Sequence, residues 1–294
     1  MILAAIDIGS NASRLLITEV IEGNGHPPFF SKLNLLRVPL RLGFDVFEKG
    51  IISPEKTEMI INAMKAYSNL LKVYNVEHVK ACATSAMRDA ANSNEIIKQV
   101  KEATGIEIEI ISGDLEAMVI YENHVAEKMD SDNTYIYIDV GGGSTELSFF
   151  GEGKLQYRQS FNIGTIRLLK NQVQDELWNE MKEVIKSKTK GINKIVTIGS
   201  GGNINKIFSM SKKKEGKALT LDFLKDFHRE IYSVSLKDRI RLYKLREDRA
   251  DVIIPALQIY IAVMRWADAT EIFVPKIGLA DGLVQHLYAD IKRK

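Results

Sequence analysis

Residues 135–150 read YIYIDVGGGSTELSFF. An alternating apolar run from Tyr135 carries one acid near its end, Asp139. It gives way to Gly141-Gly142-Gly143-Ser144-Thr145 and resumes as apolar strand beyond a second acid, Glu146. Two strands separated by so short and glycine-rich a break read as a hairpin. The start of the chain repeats the pattern: Ile6-Asp7-Ile8-Gly9 matches Ile138-Asp139-Val140-Gly141, and Leu15 falls on Leu147, at a constant offset of 132 positions (7 to 139, 15 to 147). So wide a spacing is not that of a solenoid, whose unit is about 20–50 residues. It predicts two duplicated domains, each opening with a hairpin whose turn bears an acid, glycine and hydroxyl or amide groups.

Outward from the two hairpins, strand and helix signals alternate. Ser53 to Val73 starts with Ser-Pro-Glu and places Met59, Ile60, Ala63, Met64, Tyr67, Leu70 and Leu71 at helical spacing. The pattern then predicts strand over 76–84, helix over 93–103, strand over 105–111 and helix over 114–129. Asp130-Ser131-Asp132-Asn133 is a polar, turn-rich hinge ahead of the second hairpin. Beyond it the sequence predicts a strand over 194–198 running into a loop, Gly199-Ser200-Gly201-Gly202-Asn203. Helices follow over 220–233, 236–243 and 251–267, then a strand over 271–274 and a last helix from Ala280. Ser211 to Lys217 reads as an exposed lysine-rich loop.

With 294 residues, 45% hydrophobic and 27% charged, the chain can bury a substantial core and divide into two domains. A net charge of +2 argues against nucleic acid as the main partner. The single cysteine, Cys82, can form no internal disulfide, and no apolar run reaches 18 residues. The first residues, MILAAIDIGSNASR, contain no basic leader and no small-residue cleavage site. A cytoplasmic protein without membrane attachment is the expectation.

Glycine permits close approach of backbone to a ligand and positive φ, so consecutive N–H groups can converge on an anion. Gly141 to Thr145 is therefore a candidate phosphate cradle, and a tight hairpin turn is the plain alternative. It is neither a Walker A loop nor a GxGxxG fingerprint entering a helix. Three such loops, Asp7 to Asn11, Asp139 to Thr145 and Gly199 to Asn203, favour phosphate binding over three coincidental turns. Asp7 and Asp139, at strand ends, suit a Mg²⁺ held partly through water.

The ordered set AIDIGSNASRLLI, ATSAMRDAANSNEIIKQVKEATGIEIEIISGDLEA, IDVGGGSTELSFF, FNIGTIRL, TIGSGGNINKI and RADVIIPALQIY resembles the exopolyphosphatase/guanosine pentaphosphate phosphatase family, within the sugar kinase, Hsp70 and actin superfamily. The resemblance runs from Ala4 to about Val284. It implies an α/β fold of two ribonuclease H-like domains with a cleft between them, residues 1–129 and 130–294, the last helix able to pack back on the first domain. It implies Mg²⁺-dependent hydrolysis of a terminal phosphoanhydride in inorganic polyphosphate or pppGpp. The oligomeric state stays open, a homodimer included.

By the same resemblance the catalytic carboxylate falls on Glu116, in Ser112-Gly113-Asp114-Leu115-Glu116-Ala117, and Glu146 becomes the second acid, orienting water or metal alongside Asp7 and Asp139. Arg88 becomes a phosphate ligand, as do Ser10, Asn11, Gly141, Gly142, Gly143, Ser144, Thr145, Gly201 and Asn203. Each has a plainer reading. Glu116 can complement a helix dipole, Glu146 can be an edge-strand surface acid, and Arg88 can pair with Asp89 or another nearby acid. Lys212-Lys213-Lys214 can guide a polyanion or be a solvated loop. The chain departs from the family at Met118 and Ala280, where arginine is common, and its end at Lys294 reads as the family's short form. A kinase or ATPase of the same superfamily and a non-catalytic alarmone sensor are the alternative functions.

Overall fold

The computed structural model describes the chain except residues 24, 123–132, 153, 193, 276–277 and 294, and the side chains of 114, 117 and 120–122. The end of the helix expected over 114–129 and most of the 130–133 hinge lie outside the described residues. The chain forms two compact units, Met1–Asn123 with Leu279–Lys294, and His124–Gly278.

In the first unit, β1 (Ile2–Ile8) pairs antiparallel with β2 (Ser13–Gly23), which pairs antiparallel with β3 (His26–Val38). Two short elements were silent in the sequence, α1 (Gly43–Lys49) here and α3 below; α2 (Pro54–Val73) was not. The Ser53 hydroxyl caps α2 by accepting from the Lys56 N–H at 3.4 Å, with Pro54 in the first turn. There follow β4 (His78–Ala83), α3 (Ser85–Asp89), α4 (Ser93–Thr104), β5 (Ile108–Ile110) and α5 (Gly113–Glu122). Gly105 ends α4 in the left-handed region, φ 73°. Among the described residues the sheet order is β3-β2-β1-β4-β5, with β4 and β5 parallel to β1. Beyond its first residue, β1 is buried throughout, as a central strand covered on both faces must be. Ile6, Leu15, Ile17, Met64 and Tyr67 anchor one core face.

The second unit repeats the plan. β6 (Thr134–Val140), β7 (Thr145–Gly151) and β8 (Lys154–Phe161) form the antiparallel meander. The remainder is α6 (Thr165–Leu169), α7 (Asp175–Thr189), β9 (Ile195–Ser200), α8 (Gly202–Met210), β10 (Leu219–Thr220), α9 (Leu221–Tyr232), α10 (Leu236–Leu242), α11 (Glu247–Ala250), α12 (Ile253–Trp266) and β11 (Glu271–Phe273). The order β10-β11-β9-β6-β7-β8 contains the same 3-2-1-4-5 arrangement, read as β8-β7-β6-β9-β11, with β10 added antiparallel at the edge. Both units are therefore ribonuclease H-like, as the repeat and the resemblance imply. The repeat is exact in register: Ile6 pairs with Leu15 and Ile138 with Leu147.

The last helix, α13 (Leu279–Arg293), belongs to the first unit. Tyr288 stacks edge-on against Phe30 at 5.5 Å, Lys292 pairs with Glu22 at 2.7 Å, and Asp281 pairs with Lys32. Among the described residues no helix is long and apolar enough to cross a membrane.

The third glycine segment differs from its sequence reading. Gly199 to Asn203 is not a five-residue loop: β9 runs through Ser200 and α8 begins at Gly202. The reversal is concentrated at Gly201, φ 113°, so Asn203 sits in the first turn of a helix.

Candidate functional site

β1, β4 and β5 run parallel, so the segments after their carboxyl ends emerge on one edge of the first sheet, the edge at which open α/β sheets bind ligands. Those segments hold Gly9-Ser10-Asn11, Ser85 to Arg88 and Ser112 to Glu116. They are tied together. The Ser10 and Ser85 hydroxyls share a hydrogen bond of 2.7 Å, joining the first turn to α3. Arg88 donates from Nη1 to the Ile111 carbonyl at 3.0 Å, fastening α3 to the entry of α5. The plainer reading, a pairing with Asp89 or another nearby acid, is thus not the contact that positions it. Ser112 caps α5: its hydroxyl accepts from the Leu115 N–H at 3.1 Å and its carbonyl from the Glu116 N–H at 3.0 Å. Glu116 is thereby fixed in the first turn and remains partly exposed.

Asp7 is almost wholly buried, at 3% exposure, and pairs with Arg14 across the β1–β2 register at 2.6 Å. Arg14 was not singled out by sequence reading. The signal was present, because the same offset that aligns Asp7 with Asp139 aligns Arg14 with Glu146.

That substitution makes the two hairpins chemically different. In the second unit Asp139 stands directly opposite Glu146 on the neighbouring strand. Both are buried, at 8% and 2% exposure, and Glu146 lies on an interior strand, so it is not an edge-strand surface acid. Two carboxylates in register repel unless a cation or proton intervenes. Hydroxyls surround them: Ser200 donates to Asp139 Oδ1 at 2.6 Å, and Ser144 and Ser160 donate to Glu146 Oε1 at 2.6 and 2.9 Å. Tyr260 donates to the Ser200 carbonyl, and its phenol is held well above its ordinary pKa, first by burial and then by the charges of Asp139, Tyr137 and Glu146.

The turn between these acids has an ordered hydrogen-bond plan. Gly141 N–H donates to the Ser144 carbonyl at 2.9 Å, as Gly9 N–H does to Ala12 at 3.0 Å. The carbonyls of Gly141, Gly142 and Gly143 all accept from the start of α6: from the Thr165 N–H at 3.0 Å, the Ile166 N–H at 2.9 Å and Arg167 Nε at 2.8 Å. Among the described residues nothing accepts from the N–H groups of Gly142 and Gly143. Carbonyls turned toward α6 and unclaimed N–H groups at the turn are the polarity an anion requires. Thr145 is held by donation to the Ile163 carbonyl. None of Gly141, Gly142 and Gly143 has positive φ, so this run serves close approach rather than left-handed geometry. A Cβ on Gly164 would collide with the backbone of Gly142 and Gly143. In the first unit the equivalent carbonyls, Ser10 and Asn11, accept from Gly43 and Arg41 at 2.9 Å each.

Gly201 and the first turn of α8, with Asn203, follow β9, which is parallel to β6 and adjacent to it. A Cβ on Gly201 would lie 3.0 Å from the Val140 carbonyl oxygen and 3.3 Å from Asp139 Oδ1. Gly201 is therefore packed against Asp139, and the N-terminus of α8 emerges beside it.

The donor set fits a hard divalent cation such as Mg²⁺, which takes one or two carboxylates and completes its shell with water and phosphate oxygens. Among the described residues no group of three His, Cys, Asp or Glu side chains could hold a metal. Cys82 is no nucleophile: burial pushes its thiol up to about 12, with Glu109, Asp7 and Glu116 adding to the effect. Lys212, Lys213 and Lys214 are exposed in a loop, although Lys213 donates to the Ala218 carbonyl at 2.7 Å.

Known proteins resemble this chain in sequence and fold. A bifunctional 3-dehydroquinate synthase/phosphatase of Fusobacterium nucleatum is 33% identical over 184 residues, covering 61% of this chain and 28% of that protein. Exopolyphosphatase 2 of Mycobacterium tuberculosis is 32% identical over 170 residues, 56% of this chain and 53% of the relative. The chain thus spans about a quarter and about half of the lengths of these two relatives. The crystal structure of the Aquifex aeolicus member of the Ppx/GppA family superposes with a TM-score of 0.74 at 26% identity, over 99% of this chain and 98% of that one. The model of the Ppx/GppA phosphatase family matches residues 20–290, nearly the whole sequence, and this chain belongs to that family.

Proposed function

We propose that the chain hydrolyses terminal phosphoanhydride bonds, transferring the end phosphoryl group of inorganic polyphosphate, or of a 5′-triphosphate such as pppGpp, to water and releasing orthophosphate. The observation that carries this reading is the Gly141–Ser144 turn, whose carbonyls are engaged by α6 while the Gly142 and Gly143 N–H groups stay unclaimed, directly between two facing acids. Membership of a phosphatase family and the name of the Mycobacterium relative support it.

In this reading the Gly142 and Gly143 N–H groups and the N-terminus of α8 receive phosphate oxygens. Arg88 uses one of its five N–H donors on Ile111 and offers others to phosphate. Glu116 accepts the proton of the attacking water as the bond to the leaving phosphate breaks. Asp139 and Glu146 would hold Mg²⁺, which when bound neutralises charge on the phosphate oxygens. Asp7 is already paired with Arg14, so its carboxylate would be the weaker candidate for a cation.

The test is orthophosphate release from tripolyphosphate, long polyphosphate and pppGpp, each with and without Mg²⁺. Release from at least one of them that depends on Mg²⁺ is expected. Binding of pppGpp with no release from any substrate would replace this reading with that of an alarmone sensor.

A further inference from the structure

The second unit carries a cationic groove outside the phosphate turn. Lys225, His228 and Arg229 lie one turn apart on α9, and Gln258, Ile261, Ala262 and Arg265 share one face of α12. Together they line a groove of about 420 Å³, within the range of small-ligand sites. Its floor, Ile261 and Ala262, is apolar, and its rim bears three cations.

Two rim cations have partners. Lys225 pairs with Asp222 at 3.2 Å and Arg229 with Asp226. Both pairs are exposed neighbours on one helix, weak enough for a multiply charged ligand to outcompete. Among the described residues no acid pairs with Arg265. His228 Nε2 is buried and finds no hydrogen-bond partner, an unfavourable state for a polar atom unless something enters to supply one. Burial also lowers the pKa of His228, which favours the neutral ring. That ring stacks on Tyr232 at 5.8 Å.

An apolar floor, cations on both walls, an amide and an unsatisfied imidazole nitrogen match a ligand with a flat heteroaromatic body and a polyanionic tail. We propose that the α9–α12 groove binds a nucleoside polyphosphate, the base over Ile261 and Ala262 and the phosphates on Arg229, Arg265 and Lys225, at a site separate from the Gly141–Ser144 turn. The site uses none of the residues assigned to hydrolysis, so it goes beyond the proposed reaction and can be tested apart from it.

The probe is 8-azido-ATP, photolysed with the full chain, followed by mass mapping of labelled peptides. Label is expected on α9 or α12 peptides, and R229E/R265E should reduce it at least tenfold while tripolyphosphate hydrolysis is unchanged. ATP should protect at a concentration at least tenfold below that of either adenosine or tripolyphosphate. Label confined to other peptides, or unaffected by R229E/R265E, would overturn the site. Equal protection by tripolyphosphate would overturn its assignment to a nucleotide.

Discussion

At position 14 the two halves of the chain part company: arginine faces Asp7, whereas Glu146 faces Asp139. A 2.6 Å ion pair joins the first acid to a cation of its own hairpin, whereas the second hairpin sets two buried carboxylates in register. Asp139→Asn is therefore expected to raise the Mg²⁺ concentration for half-maximal activity by about 10- to 100-fold. Asp7→Asn should shift it much less. A Mg²⁺ titration of phosphate release separates them, and equal shifts in both variants would contradict the asymmetry. The two acids were legible because they flank a glycine turn, and a hairpin places flanking residues opposite each other. Ser160, Ser200 and Tyr260 were not legible as their partners, since each comes from a distant segment and carries no local pattern.

Among the elements, α6 has five residues, too few to show a periodicity, yet it fixes the Gly141–Ser144 turn through three donors. FNIGTIRL was visible only as part of a family resemblance; its mechanical role required the fold. Gly164→Ala is expected to force the turn and α6 apart, destabilising the protein by about 1–3 kcal/mol and lowering phosphate affinity together. Thermal unfolding and a tripolyphosphate KM measure both, and a variant unchanged in each would remove α6 from the account. The strand β3 escaped sequence reading for a different reason. Pro27-Pro28 argues against a strand, but β3 is an edge, where proline is tolerated. A register shift between Ile17 and Thr18 leaves Leu33 without a paired partner and breaks the alternation of FFSKLNLL. In α7 only Met181 and Ile185 are buried, so its charged sequence offered little helical stripe.

At the scale of the molecule, the duplication was readable from one offset of 132 positions because turn glycines and strand-end acids cannot be exchanged freely. The attachment of α13 to the first unit was readable only as a family expectation: Phe30–Tyr288 and Glu22–Lys292 join residues more than 250 positions apart. At the two positions where the resemblance implies arginine, Ala280 is 4% exposed within α13, and Met118 is half-buried. If the proposed substrate is a polyanion, the absence of those cations and a net charge of +2 would leave it little hold beyond its terminal phosphates. Distributive cleavage favouring short polyphosphates, with affinity falling as salt rises, is expected on gels of partly digested polyphosphate. Full-length chains persisting beside free phosphate, without intermediate lengths, would show the opposite.

The central claim is that Glu116, held by the Ser112 cap, is the general base of the proposed hydrolysis. Single-turnover release of orthophosphate from tripolyphosphate, compared between the native chain and Glu116→Gln, addresses it most directly. The rate is expected to fall about 10²- to 10⁴-fold, on the order of 3–5 kcal/mol, with substrate affinity and thermal stability unchanged. A Glu116→Gln rate within about threefold of the native chain would contradict the claim and move the base elsewhere, with Glu146 the next residue to test.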